Sequence, residues 1–203
     1  ANNLKSDAAY KKELIKMYNQ AQDQIVKEME SAYLRYSLEN GLTIDEAMKK
    51  VSRFDVQAFA EKAKEYVKNK DFSDIANEQL RIYNLKMRMS KLELMKREIL
   101  LESVKLADKE IEALERKLSD AALEEIERPA GILKMPRTAR NSLIKTADKV
   151  VRGDFHSATF SHRVWMNNAE LVRRLESGLE KSIMRGFNPK QWSRALRDLV
   201  RKE

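Results

Sequence analysis

With two histidines and no cysteine, this 203-residue chain has few groups for metal or nucleophile chemistry. Asp154, His156 and His162 stand close together, and carboxylate with imidazole can ligate a divalent metal. Their spacing matches no metal motif, and histidines at a helix entry serve more often in packing or capping, so no metal site is assigned. Glu124, Glu125 and Glu127 offer carboxylates for acid–base work, but neighbouring helical positions point to different faces, and these read as solvated. A Gly-rich phosphate loop, a nucleophile elbow and a His-Glu-x-x-His helix are all missing, and the five glycines stand singly. No catalytic residue, cofactor or small-molecule substrate is expected, and the chain reads as a non-enzyme.

The chemistry that remains is that of cations. Residues 129–203 carry 16 Lys and Arg against 7 Asp and Glu, while residues 1–128 are close to neutral with 24 against 25. Ten of the sixteen are Arg, whose planar fork suits phosphate. Lys134, Arg137, Arg140, Lys145, Lys149 and Arg152 form one cluster; Arg173, Arg174, Arg185, Lys190, Arg194, Arg197 and Arg201 form another. Such groups would hold the backbone of duplex DNA without reading its sequence, and no helix-turn-helix or zinc-finger signature accompanies them. Phe155, Phe160, Trp165, Phe187 and Trp192 fall among these cations, an arrangement that can stack single-stranded bases. Trp165 and Trp192 lie on apolar helical stripes, however, which favours burial in a helical core.

Helices must position these groups. From Ser6 to about Asn40, Tyr10, Leu14, Tyr18, Ala21, Ile25, Met29, Ala32 and Tyr36 recur every three or four residues, and Asn40-Gly41 supplies a stop. Thr43-Ile44-Asp45-Glu46 has capping-box spacing, and Asp55 is expected to cap a following helix through Phe59, Ala63 and Val67. A stripe from Ile82 to Leu118 predicts one helix from Asp74 to about Leu118, roughly 65 Å long at 1.5 Å per residue. Ser119-Asp120 should interrupt it, a short helix should reach Arg128, and Pro129-Ala130-Gly131 with Pro136 marks a hinge. Helices are then predicted from Asn141 to Arg152, closed by Gly153, from a Ser161 cap to Gly186, and after Asn188-Pro189 through Trp192.

No sustained period-two pattern appears, so the fold class is all-α: an elongated rod of long amphipathic helices followed by a small basic bundle. The expected organisation is a long-helix rod or hairpin at 1–128, a Pro/Gly hinge at 129–140 and a basic helical domain at 141–203. Five glycines and three prolines leave too little turn chemistry for a β-sandwich or barrel. No apolar run exceeds three residues, which predicts neither a membrane span nor a membrane partner. The lack of cysteine fits a reducing compartment and excludes disulfides and thiol redox chemistry. Ala1 in place of Met, and a Val-Arg-Lys-Glu ending with no cap, leave either end open as an artificial boundary.

The stretch Phe155-His156-Ser157-Ala158-Thr159-Phe160-Ser161-His162-Arg163-Val164-Trp165, then leucines at helical spacing and Gly186-Phe187-Asn188-Pro189, resembles the tailed-phage head-morphogenesis or minor capsid protein family. Asn40-Gly41-Leu42-Thr43, Ser52-Arg53-Phe54-Asp55, Lys70-Asp71-Phe72-Ser73 and Glu127-Arg128-Pro129-Ala130-Gly131-Ile132-Leu133 look similar to its helical N-terminal part. The resemblance covers nearly the whole chain, with Phe160, Ser161, Arg163 and Trp165 as its most specific portion. It implies a minor head protein attached to the portal ring inside the capsid, made in the bacterial host cytoplasm and present in few copies. Its implied partners are the portal protein, packaged double-stranded DNA and scaffold or major capsid protein. Members usually continue past the helix matching Pro189 to Arg201 into a further domain, which this sequence lacks, so no catalytic function is carried over. The alternative that the charge pattern leaves open is a cytosolic helical nucleic-acid-binding or oligomerisation protein.

Overall fold

The computed structural model describes residues 2–36, 42–68, 89–132, 136–153, 160–186 and 191–192. It is all-α, with six helices among the described residues: α1 (Asn2–Tyr36), α2 (Ile44–Met48), α3 (Arg53–Lys68), α4 (Lys91–Ile132), α5 (Arg137–Arg152) and α6 (Phe160–Met184). Two compact units are distinguished, Ala1–Met17 with Ala107–Asn167 and Tyr18–Leu106 with Asn168–Glu203.

The second unit holds most of the buried apolar side chains. α1 contributes Ile25, Met29, Ala32, Tyr33 and Tyr36, α3 contributes Val56, Phe59 and Ala63, and α6 contributes Leu171, Leu175, Leu179 and Ile183. α4 is buried around its circumference here, through Leu94 and Leu101 as well as Leu92, Met95 and Ile99. A single stripe therefore understates its role as the central helix. In the first unit the buried apolar residues among those described are Ala107, Ala113, Val164 and Trp165.

Helix starts follow local hydrogen-bond chemistry. Thr43 Oγ1 accepts the Glu46 N–H at 3.2 Å, which is the N-cap read from the sequence. The cap of α3 is Ser52 rather than Asp55: Ser52 Oγ accepts the Asp55 N–H at 3.1 Å and donates to the Asp55 carboxylate at 2.6 Å. Asp55 thus sits at the third helical position, where it completes the box.

The long helix begins later and ends later than its apolar spacing predicts. Met89 and Ser90 are not helical, and Ser90 forms an isolated antiparallel bridge with Lys50. Ser90 Oγ accepts the Glu93 N–H at 3.2 Å while Ser90 N–H donates to the Glu93 carboxylate at 2.6 Å. That reciprocal box starts α4 at Lys91 and satisfies donors that a continuing helix would have used otherwise. Residues 69–88, with Asp74, Ile82 and Leu85, lie outside the described residues.

At the other end, Ser119 and Asp120 do not interrupt α4, and the helix runs through Pro129 to Ile132. Serine and aspartate compete with the backbone only weakly when no turn forms, and the missing proline N–H falls in a turn where Arg128 and Glu125 are exposed to water. α5 also opens one turn before the predicted Asn141, because the Pro136 carbonyl accepts the Arg140 N–H at 3.1 Å. Arg137 and Arg140 are therefore helical. α5 closes at Gly153 as predicted. α6 starts at Phe160, so Ser161 lies within its first turn, and it gives way at Gly186, whose φ of 67° is a left-handed conformation suited to glycine.

Candidate nucleic-acid interface

α5 is the most basic described helix, with Arg137, Arg140, Lys145, Lys149 and Arg152 against Asp148. At 3.6 residues per turn, Arg137, Lys145 and Lys149 occupy the side opposite Leu143, Ala147 and Val150. These three cations are exposed and make no ion pair or side-chain hydrogen bond, a statement that holds for the described residues. Arg140 differs, since its guanidinium pairs with Glu127 near the end of α4. Lys134 lies outside the described residues, as does the side chain of Arg152.

The second predicted cluster divides. Arg173 donates twice to Glu170, from Nε at 2.9 Å and from a terminal nitrogen at 2.8 Å, and Arg174 Nε donates to the same carboxylate at 2.9 Å. Those hydrogen bonds, from Arg173 first and then Arg174, hold the Glu170 carboxyl at about 2, so it stays ionised and offsets one of the two charges. Arg185 is exposed beyond the last turn of α6. Lys190, Arg194, Arg197 and Arg201 lie outside the described residues, so the structure brings together only the α5 part of the predicted surface.

Trp165 and Trp192 are 4% and 1% exposed, which removes both indoles from any base-stacking role in this conformation. Phe160 and Ser161 are half-buried, and Arg163 is exposed on the same helix. His162 is exposed as well, while Asp154, Phe155, His156, Phe187, Asn188 and Pro189 lie outside the described residues. Glu124 and Glu125 are exposed, as their solvated reading requires. What this arrangement can do chemically is bind an anionic surface through cations that no described residue neutralises.

A second charged site escaped the sequence. Lys62 Nζ on α3 meets Glu28 of α1 at 2.6 Å, Glu98 of α4 at 2.9 Å and Glu102 at 3.8 Å. Lys105 Nζ approaches Glu102 at 2.6 Å and lies 5.3 Å from the centre of the Tyr66 ring. Burial would lower the Lys62 pKa, but the hydrogen bond to Glu28 and the charge of Glu98 outweigh it and raise it. Burial raises the Glu98 carboxyl above its ordinary range against the pull of Lys62. The partners lie on three helices, 34 or more residues apart for Lys62, and no local spacing announces them. The network ties helices together and has no open face for a substrate.

Comparison with protein-family models, curated proteins and solved structures finds no match to this chain.

Proposed function

We propose that this chain is a structural minor head protein of a tailed phage, which binds the portal inside the capsid and assists procapsid assembly and DNA packaging or ejection. The portal assignment rests on the resemblance carried by Phe160, Ser161, Arg163 and Trp165 and by Gly186 to Pro189. The observation that carries the DNA part is the cationic face of Arg137, Lys145 and Lys149 on α5, unpaired among the described residues. Duplex DNA presents one charge per roughly 1.7 Å of axis, and each phosphate neutralised releases condensed counterions. A helix that reaches several phosphates gains affinity in that way, with steep salt dependence and little preference for sequence. The chain's role is to hold and assemble, with no bond made or broken, and its place is the virion interior near the portal.

Co-expression with the portal protein encoded in the same genome, followed by co-purification in high salt, tests the reading. High salt screens nonspecific charge pairing. A complex of defined ratio is the expected result. Clean separation, with this chain alone still binding duplex DNA at low salt, would replace the reading with a free-standing nucleic-acid-binding helical protein.

A further inference from the structure

A duplex held by the cations of α5 leaves the opposite side of that helix unused. At about 100° per residue, Leu143, Ile144, Ala147, Val150 and Val151 fall within about 120° of its circumference. No described side chain of α5 is buried, and Leu143 and Val150 are 41% and 73% exposed. One cation, Arg140, projects from within this apolar arc, and it is the cation that Glu127 pairs. The cations facing away from the arc, Arg137, Lys145 and Lys149, are the ones without partners among the described residues. Unpaired positive charge on one side and an uncovered apolar stripe on the other are what a helix lying flat in a lipid headgroup region uses.

We propose that α5 docks on the surface of an anionic bilayer, with Leu143, Ile144, Ala147, Val150 and Val151 toward the acyl chains and Arg137, Lys145 and Lys149 among the headgroups. The inference stands on the two faces of α5 and is independent of the portal assignment. Charge complementarity selects this occupant. Two copies of α5 packed stripe to stripe would bring ten Lys and Arg within about one Debye length, roughly 10 Å at 0.1 M salt. An anionic headgroup layer neutralises the same charges while the acyl boundary covers the stripe, and long Lys and Arg stems reach phosphates from the far side. The stripe has no aromatic residue and only four side chains larger than alanine, so apolar burial alone holds it weakly. Binding therefore requires anionic lipid. No described helix is long and apolar enough to cross a membrane, and docking in the interface plane needs no crossing.

The test floats the full chain with vesicles of phosphatidylcholine alone or mixed equally with phosphatidylglycerol, and measures binding to a random-sequence duplex in parallel. Affinity for the anionic vesicles should exceed that for neutral ones by about tenfold or more. Leu143→Gln with Val150→Gln keeps every charge and good helix formers, and should abolish most vesicle binding while duplex affinity stays within about twofold. Lys145→Glu with Lys149→Glu should weaken both. Circular dichroism of each variant should match the parent. Vesicle binding that is undetectable in the parent, or unchanged by the paired Gln substitutions, overturns the proposal; the duplex measurement then still reports on the DNA reading by itself. Retention of an acidic protein in place of vesicles, lost in the Gln variant, would equally overturn it by giving the stripe a protein cover.

Discussion

The ammonium of Lys62 lies 2.9 Å from a carboxylate oxygen of Glu98, and both side chains are largely withdrawn from water, with exposures of 31% and 10%. α3 and α4 are therefore joined by a charge pair whose components are each costly to leave alone. Lys62→Met removes the cation shared by Glu28, Glu98 and Glu102. Unfolding free energy should fall by about 2–3 kcal/mol, less than the ~3–5 kcal/mol for breaking a fully buried pair because solvent still reaches Lys62. Adding Glu98→Gln should recover part of that loss, which denaturant titration of the single and double variants would read as coupling.

The same site predicts a pH dependence of known sign. Burial holds the Glu98 carboxyl above 4.5 despite Lys62, so the folded chain binds that proton more tightly than the unfolded one. Its contribution to stability should grow as pH falls through its folded pKa and be complete below about 4.5. Glu28 behaves oppositely. Despite its own burial, the hydrogen bond and charge of Lys62 keep it below 4.5, and its contribution is present above 4.5 and lost as pH falls through its folded value. Glu98→Gln should erase the first trend and leave the acid loss, as measured by unfolding from about pH 8 to pH 3.

Ser90→Ala deletes the hydroxyl that receives the Glu93 N–H but leaves the backbone bridge to Lys50 in place. The expected cost is about 1 kcal/mol, typical of losing an N-cap. Chemical denaturation of this variant is the direct check, and an unchanged midpoint would mean that α4 does not depend on this cap.

Trp165 is 4% exposed, and its indole N–H has no acceptor among the described residues. Trp165→Ala should cost about 3–5 kcal/mol through the cavity it leaves. Trp165→Phe should cost far less, since it also removes an unsatisfied buried donor. Equal losses in the two variants, measured by thermal or denaturant unfolding, would contradict a buried, unsatisfied indole.

Combined charge reversal at Arg137, Lys145 and Lys149 should weaken duplex binding uniformly across sequences. The slope of log affinity against log salt should shrink by about 0.9 for each phosphate no longer neutralised, or about 2–3 in all. Reversing Arg140 as well should add less than any of the three, because Glu127 already holds it. Filter binding or anisotropy over a salt series, with helicity checked, would measure both effects.

How much of this was legible in the residues depends on how far apart the deciding groups lie. Spacing of Ile25, Met29, Ala32 and Tyr36, or of Leu171, Leu175 and Leu179, is set by 3.6 residues per turn, so the all-α class and the buried faces of α1 and α6 could be read directly. The Thr43 cap and the ends at Gly153 and Gly186 are local backbone chemistry and were legible for the same reason. Periodicity ran on through Met89 and Ser90, where the bridge to Lys50 and the box with Glu93 break it. It also could not tell that α4 passes Ser119 and Pro129, or that Pro136 opens α5 early enough to make Arg137 helical.

The sequence by itself determined helical content, amphipathic faces and a cationic surplus after Pro129, because these follow from residue type and near-neighbour spacing. Only the tertiary structure decided which charges remain available. Arg140 is paired through Glu127, thirteen residues away, Arg173 and Arg174 share Glu170, and Lys62 finds carboxylates on two other helices, while Arg137, Lys145 and Lys149 find none among the described residues. A side chain's formal charge is fixed when the residue is chosen, but its neutralisation depends on which groups folding brings within a few ångströms, where Coulomb energies become large.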